Sequence, residues 1–218
     1  MKTTEYSRQQ MIDQQLRTWD VFDPRVLCAF DEVRREAFVP ERFRGVAFAD
    51  TAIPLAHGET MMTPKVEGRM LQALAVRPTD RVLEVGTGSG WVTALLAMLG
   101  AEVVSIDVVP AFVDAARQKL AAAGITNATV ENRDASALEG APAFDIIAVT
   151  GSLPVYTPLF ERLLNPGGRL FVIVGEAPVM DARLVSRASR GEGCAVDSLF
   201  ETSIGPLAGF PTPRRFAL

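Results

Sequence analysis

The chain has 218 residues, 48% hydrophobic and 22% charged, which is enough to bury one α/β core but not two full domains. Its 26 acids against 22 bases give a formal charge of −4 with no run of like charge at either end, so composition supplies no phosphate-binding surface and speaks against a nucleic-acid partner. Cys28 and Cys194 lack CxxC spacing and His57 is the sole histidine, which excludes a Cys/His metal site, and the lack of any apolar run of about 18 residues predicts a cytoplasmic protein without a membrane partner.

The chain changes character near residue 80, which divides it into a helical region over 1–78 and a core over 79–218. In the first region, Met11, Ile12 and Leu16 share one face of a helix predicted over 6–18. Asp23-Pro24 forms an N-cap and first-turn pair for a second helix, which carries Val26, Leu27, Phe30 and Val33 and ends near Arg34. A turn-rich stretch over 40–60 follows, and Thr63-Pro64 repeats the start signal ahead of Val66, Met70, Leu71 and Leu74. Trp19, Phe22, Phe43 and Phe48 read as core or lid anchors.

From Arg81 onward, short β-branched runs alternate with helical ones, the pattern of βαβ units in a mainly parallel sheet. The strands fall at 81–85, 102–106, 128–131, 144–150 and 169–174, with helices at 91–99, 111–123 and 157–164. Asn165-Pro166-Gly167-Gly168 predicts a tight turn before the last of these strands. The runs 182–189 and 194–201, either side of Arg190-Gly191-Glu192-Gly193, predict a hairpin that brings the doubly wound sheet to seven strands. Phe210 to Phe216 reads as an extended tail.

Glu84-Val85-Gly86-Thr87-Gly88-Ser89-Gly90 lies where the first parallel strand turns into a helix, the place where such sheets bind cofactors. Trp91 occupies the position where a dinucleotide fingerprint needs a third small residue, and Glu84 sets an acid beside the loop, so a pyrophosphate fits poorly. S-adenosylmethionine carries a sulfonium and an ammonium group in place of phosphate, and the sign of the charge favours it. Asp107, about 20 residues beyond the loop's first glycine, is placed for the ribose hydroxyls. Asp134, after the third strand, is placed for the adenine amino group.

Several segments together resemble the protein-L-isoaspartate O-methyltransferase family over nearly the whole chain. Met11 to Arg17 looks like the family's opening helix, Val33-Arg34-Arg35-Glu36-Ala37-Phe38-Val39-Pro40 like its VPRexFVP stretch, and Leu55 to Thr60 like its GxGQT approach to the active site. Ser89-Gly90-Trp91 is similar to its SGY, Phe144 to Thr150 to its DxIxVT, and Leu164 to Leu170 to its LxPGGRL. The resemblance implies a Rossmann-like methyltransferase fold with an N-terminal helical extension, and S-adenosylmethionine held by Glu84, Gly86, Thr87, Gly88, Ser89, Gly90, Asp107, Val108, Asp134, Ala135 and Thr150. It also implies a protein or peptide substrate with isoaspartyl residues, handled by a monomer or homodimer.

The acceptor side departs from the family pattern. Where the family has QTISQP, this chain reads Glu59-Thr60-Met61-Met62-Thr63-Pro64, so Met62 takes the place of a serine beside the transferred methyl, and the family's VPL is Gly205-Pro206-Leu207. Thr60, Met62 and Thr63 are the catalytic candidates: Thr60 would orient the acceptor and Met62 would pack against the methyl donor. A carboxylate acceptor is ionised at neutral pH and needs no base, whereas a neutral hydroxyl would need one, for which His57 is the candidate. Three readings stay open: a protein carboxyl methyltransferase, a methyltransferase for a small-molecule acceptor, and a cofactor-binding protein without repair activity.

Overall fold

The structure is a computed structural model that describes residues 2–140, 143–191 and 193–211. Helix α1 (Lys2–Met11) runs into a π turn over Ile12–Leu16 and a 3-10 turn over Arg17–Trp19. The helix predicted over 6–18 therefore starts earlier and changes pitch halfway. It closes without glycine: Asp20 takes φ 57°, and the Val21 N–H returns to the Leu16 carbonyl at 3.0 Å. Helix α2 (Pro24–Glu32) starts as predicted, the Asp23 carboxylate accepting the Arg25 N–H at 2.8 Å. It stops before Arg34 because Val33 is already extended, and a single turn, α3 (Arg35–Phe38), follows. The turn-rich stretch holds a 3-10 segment (Glu41–Val46) and a miniature antiparallel hairpin, β1 (Ile53–Pro54) with β2 (Thr60–Met61). Helix α4 (Pro64–Leu74) begins after Thr63, whose hydroxyl makes no capping bond.

The main sheet contains β3 (Arg81–Val85), β4 (Glu102–Asp107), β5 (Ala128–Asn132), β6 (Phe144–Leu153), β7 (Leu164–Val174), β8 (Met180–Arg187) and β9 (Cys194–Thr202), in spatial order β5-β4-β3-β6-β7-β8-β9. The first five strands in that order are parallel, and β8 and β9 each run antiparallel to the strand before. The predicted seven-stranded, mainly parallel sheet is what forms. Helices α5 (Trp91–Leu99), α6 (Pro110–Ala122) and α7 (Leu159–Leu163) provide the crossovers.

Period-2 alternation distributes the strand residues between two apolar layers. Val82, Ile146, Ala148, Phe171 and Ile173 face one layer together with the N-terminal helices, α4 and α5. Leu83, Val85, Ile147, Val149, Leu170 and Val172 face the other with Phe160 and Leu163 of α7. Burial on both faces explains why these strands read as continuous apolar runs.

Two strand ends differ from expectation. Strand β6 runs on to Leu153 because the Ser152 N–H donates to the Gly205 carbonyl at 2.8 Å and its own carbonyl accepts the Leu207 N–H at 2.9 Å, so the segment after β9 crosses back over the sheet. Strand β7 starts at Leu164, and the predicted Asn-Pro-Gly-Gly turn is a bulge inside it: Leu164 pairs with Phe144, the next pair is Arg169 with Ile146, and Gly167 takes φ 78°. The Asn165 amide donates to Asp145 Oδ1 at 2.8 Å and holds the bulge to β6. The tail from residue 212 onward and position 192 in the β8–β9 turn lie outside the described residues.

The order of the strands reverses at β3, which sends β4 and β5 to one side and β6 onward to the other, and so opens a crevice beyond their carboxyl ends. The stability of the helical wall beside it depends in part on the α2 cap. Asp23→Ala is expected to lower the unfolding free energy by about 1 kcal/mol, measured as a lower denaturant midpoint with an unchanged m-value.

Candidate active site

A cleft opens at this crevice. Its floor is Val85-Gly86 at the tip of β3, Ile106–Val109 at the tip of β4 and Thr150-Gly151 within β6, with one wall drawn from residues 52–66 and the other from 202–208. Gly86 takes φ 98° and lies so close to Thr150 that a β-carbon there would collide with the threonine hydroxyl. That hydroxyl donates to the carbonyls of Gly86 at 2.6 Å and Val85 at 2.9 Å, fixing the turn from strand to loop.

Asp107 is buried at the tip of β4, where Oδ2 accepts the Gly88 N–H and Oδ1 the Val109 N–H, both at 2.9 Å. The carboxylate is thereby oriented by the backbone on both sides of the cleft floor. Asp134 and Ala135 line the cleft beyond it; Asp134 Oδ1 accepts both the amide and hydroxyl of Ser136 at 2.8 Å. Val108 leaves 49% of its surface exposed at the cleft, an apolar face beside two carboxylates.

Glu84 corrects the sequence expectation. It is fully buried, its carboxyl receives the Thr93 hydroxyl, and burial pushes its pKa up to about 8, so at neutral pH it does not lay a fixed negative charge beside the loop. Its Oε1 is buried with no hydrogen-bond partner among the described residues. Glu84, Thr87 and Ser89 border a smaller recess that continues from the cleft past Gly86 and Gly88. Gly90, expected at the cofactor, borders neither space: at φ 81° it starts α5 and packs against Ala116 of α6.

On the wall opposite the loop, Thr60, Met62 and Thr63 all line the cleft. Met62 is buried, and Thr63 Oγ1 is buried without a partner among the described residues. His57 is not part of the lining. It sits at φ 56° in the exposed turn between β1 and β2, edge-on to Phe112 with ring centroids 5.6 Å apart, which corrects its candidacy as a base. The sequence reading missed Glu59 and Phe112 in the lining, and it offered the 202–208 wall only through the Gly205-Pro206-Leu207 resemblance.

Behind the 52–66 wall lies a buried polar cluster. Arg35 is 0% exposed and donates to the carbonyls of Ala47 and Met62, each at 3.0 Å, and to the Glu67 carboxylate. The Trp91 indole N–H donates to the same carboxylate at 2.8 Å, and the guanidinium stands 5.2 Å from the Trp91 ring centroid. Burial raises the Glu67 pKa, while Arg35 and Trp91 pull it back toward the ionised form. Through these bonds, the carbonyl at Met62 on the 52–66 wall and the first residue of the helix after the glycine loop are fixed to one group.

A model of the family described as Protein-L-isoaspartate(D-aspartate) O-methyltransferase matches residues 6–201. A protein-L-isoaspartate O-methyltransferase of Methanoculleus marisnigri is 40% identical over 190 residues, 85% of each chain. Another of that name, from Anaeromyxobacter sp., is 41% identical over 191 residues, covering 86% of this chain and 89% of its own. Among solved structures, a Plasmodium falciparum chain described as a protein-L-isoaspartate O-methyltransferase, in complex with S-adenosyl-L-homocysteine, superposes with a TM-score of 0.80 over 91% of this chain and 96% of that one. At 20% identity, that likeness bears on the fold alone.

Two predictions follow from the buried polar groups. Arg35→Met strands the Glu67 carboxylate and is expected to cost about 3–5 kcal/mol, whereas Arg35→Met with Glu67→Met recovers most of that loss in denaturant unfolding. Glu84 has a folded pKa of about 8 against an ordinary 4.5, so its contribution to stability is full below the lower value and is lost as pH rises to the higher. Unfolding of the ligand-free chain across that window should show a loss of up to about 1.4 kcal/mol per pH unit that Glu84→Gln removes.

Proposed function

The chain belongs to the protein-L-isoaspartate(D-aspartate) O-methyltransferase family, and from that premise we propose how its cleft methylates the free α-carboxylate of an isoaspartyl residue in protein. It is an S-adenosylmethionine-dependent O-methyltransferase. The observation that carries the proposal is the juxtaposition of the Gly86–Gly88 turn and Asp107 with the Thr60–Thr63 wall across a single cleft.

The residues present suit S-adenosylmethionine. Asp107 keeps lone pairs free beyond its two backbone bonds and would accept the ribose hydroxyls, while Asp134 Oδ2 and the apolar faces of Val108 and Ala135 would receive the adenine. Glu84 borders the recess, and its buried, unpartnered Oε1 would accept the ammonium group; pairing with a cation favours the ionised carboxylate, so the bond and the loss of the proton go together. When bound, the donor supplies an electrophilic methyl group on a cationic sulfur.

The chain's own task is then placement. An isoaspartyl carboxylate has a reference pKa of about 4 and arrives ionised, so no base is required, in keeping with a histidine outside the cleft. Thr60 orients the acceptor, Thr63 Oγ1 offers it a second hydrogen bond, and Met62 packs against the donor's methyl side and excludes water. The walls must hold the attacking oxygen about 3–3.5 Å from the methyl carbon and in line with it. Among the described residues no helix is long and apolar enough to cross a membrane. We place the enzyme in the cytoplasm as a monomer or homodimer acting on protein, not on nucleic acid or lipid.

Met62 favours a second reading, in which the acceptor is a small molecule that needs no hydroxyl at that position. The decisive measurement is incorporation of labelled methyl into paired peptides containing isoaspartate or ordinary aspartate. Labelling of the isoaspartyl peptide alone is expected, and donor binding without labelling of either would leave the small-molecule reading. Thr60→Val should cut transfer by about tenfold or more with little change in calorimetric affinity for S-adenosylhomocysteine; equal losses in both would remove Thr60 from the acceptor side.

A further inference from the structure

The acceptor wall contributes a charged side chain to the cleft as well as its hydroxyls. Glu59 lines the cleft immediately before Thr60. Its backbone is fixed from both directions: the Glu59 N–H donates to the Ala56 carbonyl at 3.1 Å, and the Glu59 carbonyl accepts the Leu55 N–H at 2.8 Å. His57 and Gly58 between them take φ 56° and 80°, the left-handed backbone of a tight turn. The side chain reaches across toward the other wall, with Oε2 placed 3.7 Å from where a β-carbon at Gly205 would stand. No group among the described residues hydrogen-bonds or ion-pairs with its carboxyl.

Its position in the cleft, more than the charges around it, disfavours ionisation. Burial raises the Glu59 pKa, Asp107 across the cleft raises it further, and His57 in its own turn draws it down. Beyond Asp107, Asp134 and Arg133 line the cleft, and Arg133 is drawn 3.8 Å from Glu131. The residues facing Glu59 from the 203–208 segment carry no charge. An acceptor carboxylate entering between the two walls passes Glu59, and two carboxylates brought together cannot both stay ionised cheaply.

We propose that Glu59 is a specificity-determining residue that admits an anionic acceptor when protonated, by donating a hydrogen bond to the acceptor oxygen that does not attack, and turns it away once ionised. This rests on the isoaspartyl reading above. In the transfer step the acceptor's other oxygen forms the O–CH3 bond as the S–CH3 bond breaks, the bonding pair stays on sulfur, and the Glu59 proton stays on Glu59. The donated bond takes over what a serine hydroxyl would have offered at Met62.

The test is the pH profile of kcat/KM for an isoaspartyl peptide, at saturating S-adenosylmethionine, from about pH 5 to about pH 9 for the native enzyme, Glu59→Gln and Glu59→Ala. The native enzyme should lose activity as pH rises through the Glu59 pKa. Glu59→Gln, a neutral donor at every pH, should remove that decline and exceed the native enzyme at the alkaline end. Glu59→Ala should also be flat but about five- to tenfold below Glu59→Gln, the loss of one hydrogen bond. A decline retained in Glu59→Gln, or Glu59→Ala equal to Glu59→Gln, overturns this inference alone. Absence of labelled isoaspartyl peptide in every variant at every pH, with S-adenosylhomocysteine still bound, overturns the acceptor reading and this inference together.

Discussion

The organising constraint of this molecule is a buried ion pair. Arg35 and Glu67 are both removed from water, a costly arrangement offset by their mutual bond and by the groups around them: two backbone carbonyls accept from Arg35, and the Trp91 indole donates to Glu67. The pair and its partners come from five separate stretches, namely α3 at Arg35, the 3-10 segment's exit at Ala47, the cleft wall at Met62, α4 at Glu67 and the start of α5 at Trp91. Lys119 adds a related tie, donating to the Phe38 carbonyl at 2.8 Å and the Ser89 carbonyl at 3.3 Å. The spacing between the donor loop and the wall that faces it is thus set behind the cleft by hydrogen bonds of defined length, leaving the cleft surface free for chemistry.

That separation bears on the electrostatics. The acids near the cleft are of different kinds. Asp107 is held by two backbone amides, Glu84 is sealed in the core with one oxygen unanswered, and Glu59 stands at the mouth without a partner among the described residues. Glu84 and Glu59 have pKa values raised by burial, so their charge depends on what lies beside them. A cationic donor draws negative charge onto this cleft, and an anionic acceptor draws it off.

Much of the fold was legible because its strands are buried on both faces and its helices begin with strong start signals such as Asp23-Pro24 and Thr63-Pro64. Positions such as Gly86 and Asp107 could be placed from strand-to-loop order, which alone determines where strand tips converge. The failures have identifiable causes. The π turn at Ile12–Leu16 keeps nearly the same apolar stripe as an α-helix, so the change of pitch leaves no mark on the pattern. The bulge at Asn165–Gly168 has the composition of a loop, and only its pairing with β6 reveals a strand around it. The charge state of Glu84 depends on its burial beside Thr93, and His57 was judged by its chemistry although its turn leaves it outside the cleft lining. Glu59 escaped notice because a family motif was read for its threonine and its missing serine.

The two walls of the cleft are drawn from residues 52–66 and 202–208, with the donor floor encoded between them, and the later wall is stitched to the sheet through Ser152. For the evolution or engineering of acceptor preference, this arrangement acts as a recombination barrier. A single crossover anywhere between the two stretches would join the hairpin of one parent to the returning segment of another, and Glu59 would then face a stranger across the cleft. New acceptor preferences in this scaffold are therefore more accessible to paired point changes than to the exchange of contiguous modules.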